Sequence, residues 1–273
     1  MGNKELIFLG TGHAMVTKCY NTCFAIHKEE AGKDEYFLVD AGGGNGILAQ
    51  LEKANIPCEN LRGMFVTHGH TDHILGAVWV LRKIASMLLV GEYPGTFTLY
   101  CHKELWELLH LLCQQMLHSH FLQFFGKEMQ VCILEDGAAH DILGMPTVFF
   151  DIDSDKAKQY GFQMQYEEGK YLTCLGDEPY HDKTERWAKN VDWLLCEAYC
   201  LYEERDVFRP YEKFHSTVKD AGEIAEKLGV KNVILYHTED SNLVSRAENY
   251  KKECSKFYMG NIFVPDDLEK ISI

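Results

Sequence analysis

Thr67-His68-Gly69-His70-Thr71-Asp72-His73 follows directly on the apolar run Met64-Phe65-Val66. A strand ending at that point delivers three histidines and an aspartate from one tight turn. Neutral imidazoles and a carboxylate are the donors that borderline first-row metals such as zinc accept. His68 and His70 lie two apart, so on extended backbone both point to one side. Asp72 and His73 fall where the chain turns into a helix suggested by Ile74 to Leu89. Four ligand-type side chains in a strand-turn-helix setting are far more specific than an isolated histidine pair, and the stretch is read as a metal site.

Working outward, further polar residues also follow apolar runs. Tyr36 to Val39 closes on Asp40-Ala41-Gly42-Gly43-Gly44, Lys170 to Leu175 on Gly176-Asp177, Trp193 to Cys196 on Glu197, and Val233 to Tyr236 on His237. Polar groups carried on strand ends are how α/β proteins assemble sites. The glycine turns at 10–12 and 42–44 fit neither phosphate-cradling pattern; they let backbone pass close under the site. Asp40 reads equally well as the group that orients a ligand histidine or as an ordinary turn aspartate. Lys103 to about Phe125 reads as one long helix. His102, His110, His118 and His120 in and around it lack carboxylates at ligand spacing and read as satisfied or solvated. The surplus Leu and Phe there offer a lid or a dimer surface, and a homodimer is expected. His215-Ser216-Thr217 precedes an amphipathic helix with Ser216 or Thr217 as N-cap.

The 273 residues carry 27 basic and 41 acidic side chains, a net charge of −14, which argues against a broad surface for nucleic acid. No repeat or linker divides the chain, so one domain over 1–273 is expected. Ile74 to Val90 holds Arg82 and Lys83 mid-span, against a membrane helix. Met1-Gly2 runs into the first strand without a signal-peptide pattern, and the ten cysteines scatter through mostly apolar segments. These features point to a reducing cytoplasm.

With His68-x-His70-x-Asp72-His73, Gly176-Asp177 and His237, the chain resembles the metallo-β-lactamase superfamily over essentially its whole length. The resemblance implies a four-layer αββα sandwich and a hydrolase with two divalent ions, zinc first. Within that superfamily it looks most like ribonuclease Z and its phosphodiesterase relatives. Cys196-Glu197-Ala198-Tyr199 is similar to the HEAT loop in its Glu-Ala core, and His215-Ser216-Thr217 matches the HST loop. The pattern implies His68 and His70 on one metal, Asp72, His73 and His237 on the other, and Asp177 bridging. The usual third histidine of the first metal is missing, and Asp153 stands at its position; an oxygen donor there would favour manganese or iron(II). Asp72, His215 and Glu197 are the implied catalytic residues, acting on a phosphodiester through a hydroxide shared by the metals.

The interval from Asp153 to Asp177 holds only a hairpin, with no room for a tRNA-gripping arm. RNA remains a candidate substrate, but the missing arm and the acidic charge argue against tRNA 3′ processing. The alternatives are a small-ester or lactone hydrolase of the same fold and a non-catalytic metal-binding regulatory protein.

Overall fold

The computed structural model describes residues 3–273, so Met1 and Gly2, where the sequence reading sought a leader, lie outside the described residues. Packing divides the chain into two compact units that interleave along the sequence. The first holds the residues up to Gly10, Tyr20–Glu135 and Asp267–Ile273; the second holds Thr11–Cys19 and Asp136–Asp266.

The first unit is built on a seven-stranded sheet of β1 (Lys4–Gly10), β2 (Cys23–Glu30), β3 (Lys33–Val39), β4 (Leu61–Phe65), β5 (Phe97–His102), β6 (Met129–Leu134) and β14 (Lys270–Ser272), in the order β14-β1-β2-β3-β4-β5-β6. The strands from β14 to β3 pair antiparallel and those from β3 to β6 pair parallel. Helices α1 (Gly46–Lys53), α2 (Thr71–Leu89) and α3 (Lys103–Met116) supply Ile47, Leu51, Ile74, Ala77, Leu81, Ile84, Leu105 and Leu109 to a core shared with Leu38, Met64 and Leu99 of the strands. The spacing of those residues on α2 gives one apolar stripe, as a helix covering a sheet requires.

Two glycines allow α2 to lie tight against the turn after β3. A Cβ on Gly76 would stand 1.8 Å from the Ala41 carbonyl oxygen, and the Gly76 amide donates to the Gly42 carbonyl at 2.8 Å. Gly42 itself has φ +69, and a Cβ there would run into the Tyr20 ring. The long helix expected over 103–125 is interrupted. Leu117 is extended, His118 caps the single turn α4 (Ser119–Leu122), and His102 caps α3 by accepting from the Leu105 amide. His110 stacks on Trp106. These four histidines thus serve local structure, and His102 also meets the Glu104 carboxylate at 3.0 Å.

The second unit carries its own seven-stranded sheet of β7 (Ala138–Ile142), β8 (Met145–Asp151), β9 (Tyr160–Glu167), β10 (Lys170–Cys174), β11 (Trp193–Glu197), β12 (Asn232–Tyr236) and β13 (Asn261–Phe263), in the order β13-β12-β11-β10-β9-β8-β7. Antiparallel pairing runs from β7 to β10 and parallel pairing from β10 to β13. The short helices α5 (Glu185–Ala188) and α6 (Arg205–Phe208) lie in connections. Helices α7 (Val218–Leu228) and α8 (Leu243–Cys254) cover Leu194, Val233 and Leu235 with Val218, Ala221, Ala225, Tyr250 and Cys254.

Thr217 caps α7 in a reciprocal capping box with Asp220, and Gly229 closes the helix at φ +65. Arg246 of α8 is buried and donates to Thr11, Thr238, the Pro265 carbonyl and Asp266. It ties the turn before His13 to the residue after His237. No helix among the described residues is long and apolar enough to cross a membrane.

Strands β2 and β7 are absent from the sequence reading. The second half of β2, Lys28-Glu29-Glu30, is charged, and β7 contributes only Ile142 as a large buried apolar side chain. Their pairing comes from neighbouring strands and not from their own hydrophobic pattern.

The close approach of α2 to the turn after β3 makes a direct prediction. Gly76→Ala should lower unfolding stability by about 1–3 kcal/mol, read as a lower urea midpoint at unchanged slope. An unchanged midpoint would show that the helix is not seated on Ala41.

Candidate metal centre

In the first unit, the turn after β4 is held by the turn after β3. Asp40 is buried, in the left-handed region at φ 55, at the end of β3 beside β4. Its Oδ1 accepts from the Thr67 amide at 2.8 Å, and its Oδ2 accepts from the Thr67 hydroxyl and from His73 Nδ1, each at 2.8 Å. Of the two readings of Asp40, the orienting one is what the geometry shows. The Thr67 proton goes to Asp40, so its oxygen accepts from His68 Nδ1, 2.9 Å away. Both imidazoles therefore donate through Nδ1 and keep the lone pair on Nε2.

Those lone pairs point to the ligand-bearing side of the turn. His68 Nε2 faces His70 Nδ1 at 2.8 Å, and His73 Nε2 lies 3.4 Å from Asp72 Oδ2. The His68 and His73 rings stand 4.2 Å apart by centroid. His68, Asp72 and His73 are buried, whereas His70 is partly exposed at the start of α2. An outer partner that fixes the tautomer of each ligand histidine is a regular feature of metal sites, and the Asp40–Thr67 pair supplies it for two of them.

The second unit presents a matching set at the ends of its parallel strands. Asp177 follows Gly176, whose φ of +83 turns the chain after β10. His237 follows β12 in the left-handed region at φ 58. Both side chains are buried, with His237 Nε2 3.5 Å from Asp177 Oδ2. Gln159, itself buried, donates to Asp177 Oδ1 at 2.8 Å. Among the described residues, His68, Asp72, His73, Asp177 and His237 each offer a buried donor atom in a setting that could hold a metal ion. Imidazole nitrogens with carboxylates are a donor set suited to zinc. The residues fit the group.

Asp153 is placed differently. It follows β8 at φ 67, its side chain is 58% exposed, and its Oδ1 accepts from Lys183 Nζ at 2.9 Å. Lys183 holds its carboxyl below the usual carboxylate range. The structure does not bring Asp153 to Asp177; the neighbour that meets Asp177 is Gln159.

Glu197 and His215 are brought together. Glu197 is fully buried at the end of β11, with His215 Nδ1 at 3.1 Å from its Oε2 and the Ser216 amide donating to its Oε1. Burial raises the Glu197 pKa, and the two bonds to the His215 loop oppose that rise. The His215 ring stands 5.2 Å from that of His237 and stacks on Tyr199 at 4.8 Å. Tyr199 stacks in turn on His13 at 4.4 Å and accepts a hydrogen bond from Lys213 at 3.0 Å.

Thr67, Gln159, His13 and Lys213 carry no role in the sequence reading. Thr67 adjoins the histidine motif and was open to inspection. His13 directly follows the glycine turn at 10–12 and Lys213 precedes His215 by two residues, so both adjoin stretches singled out above, whereas Gln159 adjoins no motif.

Comparison with known proteins adds the following. A family model described as Beta-lactamase superfamily domain matches residues 35–238. A ribonuclease Z of Enterococcus faecalis (strain ATCC 700802 / V583) is 24% identical, over 96% of this chain and 95% of its own. That alignment runs over 306 positions, more than the 273 residues present here, so the relative carries segments that this chain lacks. Among solved structures, the metallo-β-lactamase fold protein YhfI from Bacillus subtilis superposes with a TM-score of 0.78 at 15% identity, covering 99% of this chain and 100% of the other. Human tRNase Z, short form, gives 0.72 at 19% identity, covering 98% and 99%. These likenesses show the fold that the resemblance implies.

Asp40→Asn keeps the size of the side chain but removes the acceptor shared by Thr67 and His73. It should weaken zinc binding about 10–100-fold, measured by competition with a chromophoric chelator on folded protein. Unchanged affinity would mean that Asp40 does not orient the ligands.

Proposed function

Because the chain belongs to the β-lactamase superfamily, we propose that it is a metal-dependent phosphodiesterase of ribonuclease Z type. In this reading His68, His70, Asp72, His73, Asp177 and His237 hold two divalent ions. Zinc is the first choice. The case for manganese or iron(II) rested on Asp153 as an oxygen donor, and Asp153 is engaged by Lys183. It would have to leave that lysine to serve as a ligand.

The observation that carries the reaction class is the buried Glu197–His215 pair beside His237. A metal pair alone serves hydrolysis of carbonyl and phosphoryl centres alike. Bound there, two divalent ions supply Lewis-acid activation of water and neutralise charge on the transferring oxygens. A positioned imidazole adds what a phosphodiester needs, a proton for a poorly leaving alkoxide.

Glu197 accepts a hydrogen bond from Nδ1–H, so the transferable proton of the charged ring sits on Nε2, and the carboxylate stabilises that charge. Stacking on Tyr199 fixes the ring plane. Asp72, next to His73, acts as ligand and as the acceptor that orients the attacking water. Substrate is a phosphodiester, and this arrangement favours it over the small-ester or lactone alternative and over a purely regulatory metal-binding role.

The name of the ribonuclease Z relatives makes RNA the second reading. Against tRNA as the substrate stand the single hairpin between Asp153 and Asp177, formed by β9 and β10, the segments that the chain lacks, and the net charge of −14.

The chain loaded with zinc or manganese should hydrolyse bis(p-nitrophenyl) phosphate, and His215→Ala should lower kcat by about 10²–10⁴-fold with metal content unchanged. No cleavage with either metal refutes the phosphodiesterase reading. A 3′-extended precursor tRNA, assayed in parallel, should be a poor substrate.

A further inference from the structure

The second unit contains a hollow of about 290 Å³ that reaches His215 and is lined by Pro179, Tyr180, Tyr211, Asp220, Glu223 and Ile224 among others. We infer that this hollow seats the leaving half of the substrate, and that this half is an uncharged nucleoside-like group, a planar ring with hydroxyl or amine donors and no further phosphate. The inference rests on the phosphodiesterase reading for the role of His215, and it names the substrate class that reading leaves open.

Position is the first argument. A proton delivered by His215 goes to the departing oxygen, so the departing group lies on the side of His215 where there is room for it. This hollow provides that room.

The walls are the second argument. Two tyrosine rings, a proline and an isoleucine offer flat apolar surface, on which any nucleobase can stack. The Tyr211 ring is half exposed yet held in place, because its hydroxyl donates to Asp220 Oδ2 at 2.8 Å. A platform fixed before binding costs little to order. A volume near the lower end of small-molecule pockets suits one ring and its sugar, not a second nucleotide.

Charge is the third argument. Among the described residues, no lysine or arginine lines the hollow, while two carboxylates do. Two lysines stand at its edge, Lys227 5.1 Å over the Tyr180 ring while held by Asp182 at 2.9 Å, and Lys219 3.8 Å from Glu223. Asp220 Oδ2 already accepts from Thr217 and Tyr211, and Glu223, half exposed in a loose pair with Lys219, is the solvent-facing acceptor at the rim. Such a rim accepts hydrogen bonds from ribose hydroxyls or exocyclic amines and repels a second phosphate. A polynucleotide, whose leaving strand carries phosphate on every residue, meets that repulsion at once, whereas a diester with a single phosphate does not.

Adenosine, cytidine, guanosine and uridine, each titrated separately into the zinc-loaded full chain by calorimetry, test this without any turnover. At least one nucleoside should bind at the hollow, and its 3′,5′-bisphosphate should bind at least tenfold more weakly than the tighter of its two monophosphates. Tyr211→Ala and Ile224→Glu should each weaken the nucleoside at least tenfold, and Glu223→Lys should narrow the gap between monophosphate and bisphosphate at least fivefold. Binding by none of the four, binding indifferent to both Tyr211→Ala and Ile224→Glu, or tighter binding of the bisphosphate than of either monophosphate to wild type would overturn the inference. Failure to cleave bis(p-nitrophenyl) phosphate would strike the phosphodiesterase reading alone, since nucleoside binding is measured independently of it.

Discussion

The carboxylate of Asp40 is the point on which the first unit's histidine-bearing turn depends. It accepts from the Thr67 amide, the Thr67 hydroxyl and His73 Nδ1, all within buried surroundings. Hydrogen bonds to a charged acceptor contribute about 1.5–3 kcal/mol each. That readily offsets the left-handed backbone of Asp40, which costs about 1–2 kcal/mol for a non-glycine residue. The same contacts decide chemistry as well as stability. They assign the protons of His73 and, through Thr67, of His68, and so direct the lone pairs of the two rings. Gly76 belongs to this arrangement, because only a residue without Cβ lets α2 bring Asp72 and His73 so near to the turn that carries Asp40.

The second unit solves the corresponding problem with different residues. Left-handed backbone is placed at His237 and, at no cost in strain, at Gly176 before Asp177, and buried Arg246 braces the loop that follows His237. A fully buried glutamate then holds His215, and a stack of His13, Tyr199 and His215 fixes the plane of that ring. Burial of an acid without compensation is costly. Here the His215 ring and the Ser216 amide supply the compensation, so the energy that keeps Glu197 buried also orders the loop that would deliver the proton.

Much of this was legible in the sequence because the informative residues are short in range. His68 to His73 announce themselves by spacing, Thr217 by its place before an amphipathic helix, and Asp177, Glu197 and His237 by their place after apolar strands. What was not legible depends on contacts distant in sequence. Gln159 meets Asp177 from another strand's approach, and His13 meets Tyr199 from the opposite end of the chain. Asp153 occupies the position of a ligand, yet Lys183, thirty residues away, draws its side chain outward. Strand β2 was missed because half of it is charged, and the break after Met116 because Leu117 carries no breaker signal of its own.

In the proposed reading, the histidines and aspartates of the two units hold a pair of divalent ions. This is tested most directly by metal content, measured by plasma mass spectrometry on full-length chain purified without added metal and again after zinc loading and desalting. Each loaded chain should retain close to two tightly held divalent ions. Fewer than one per chain, retained after desalting, would contradict it.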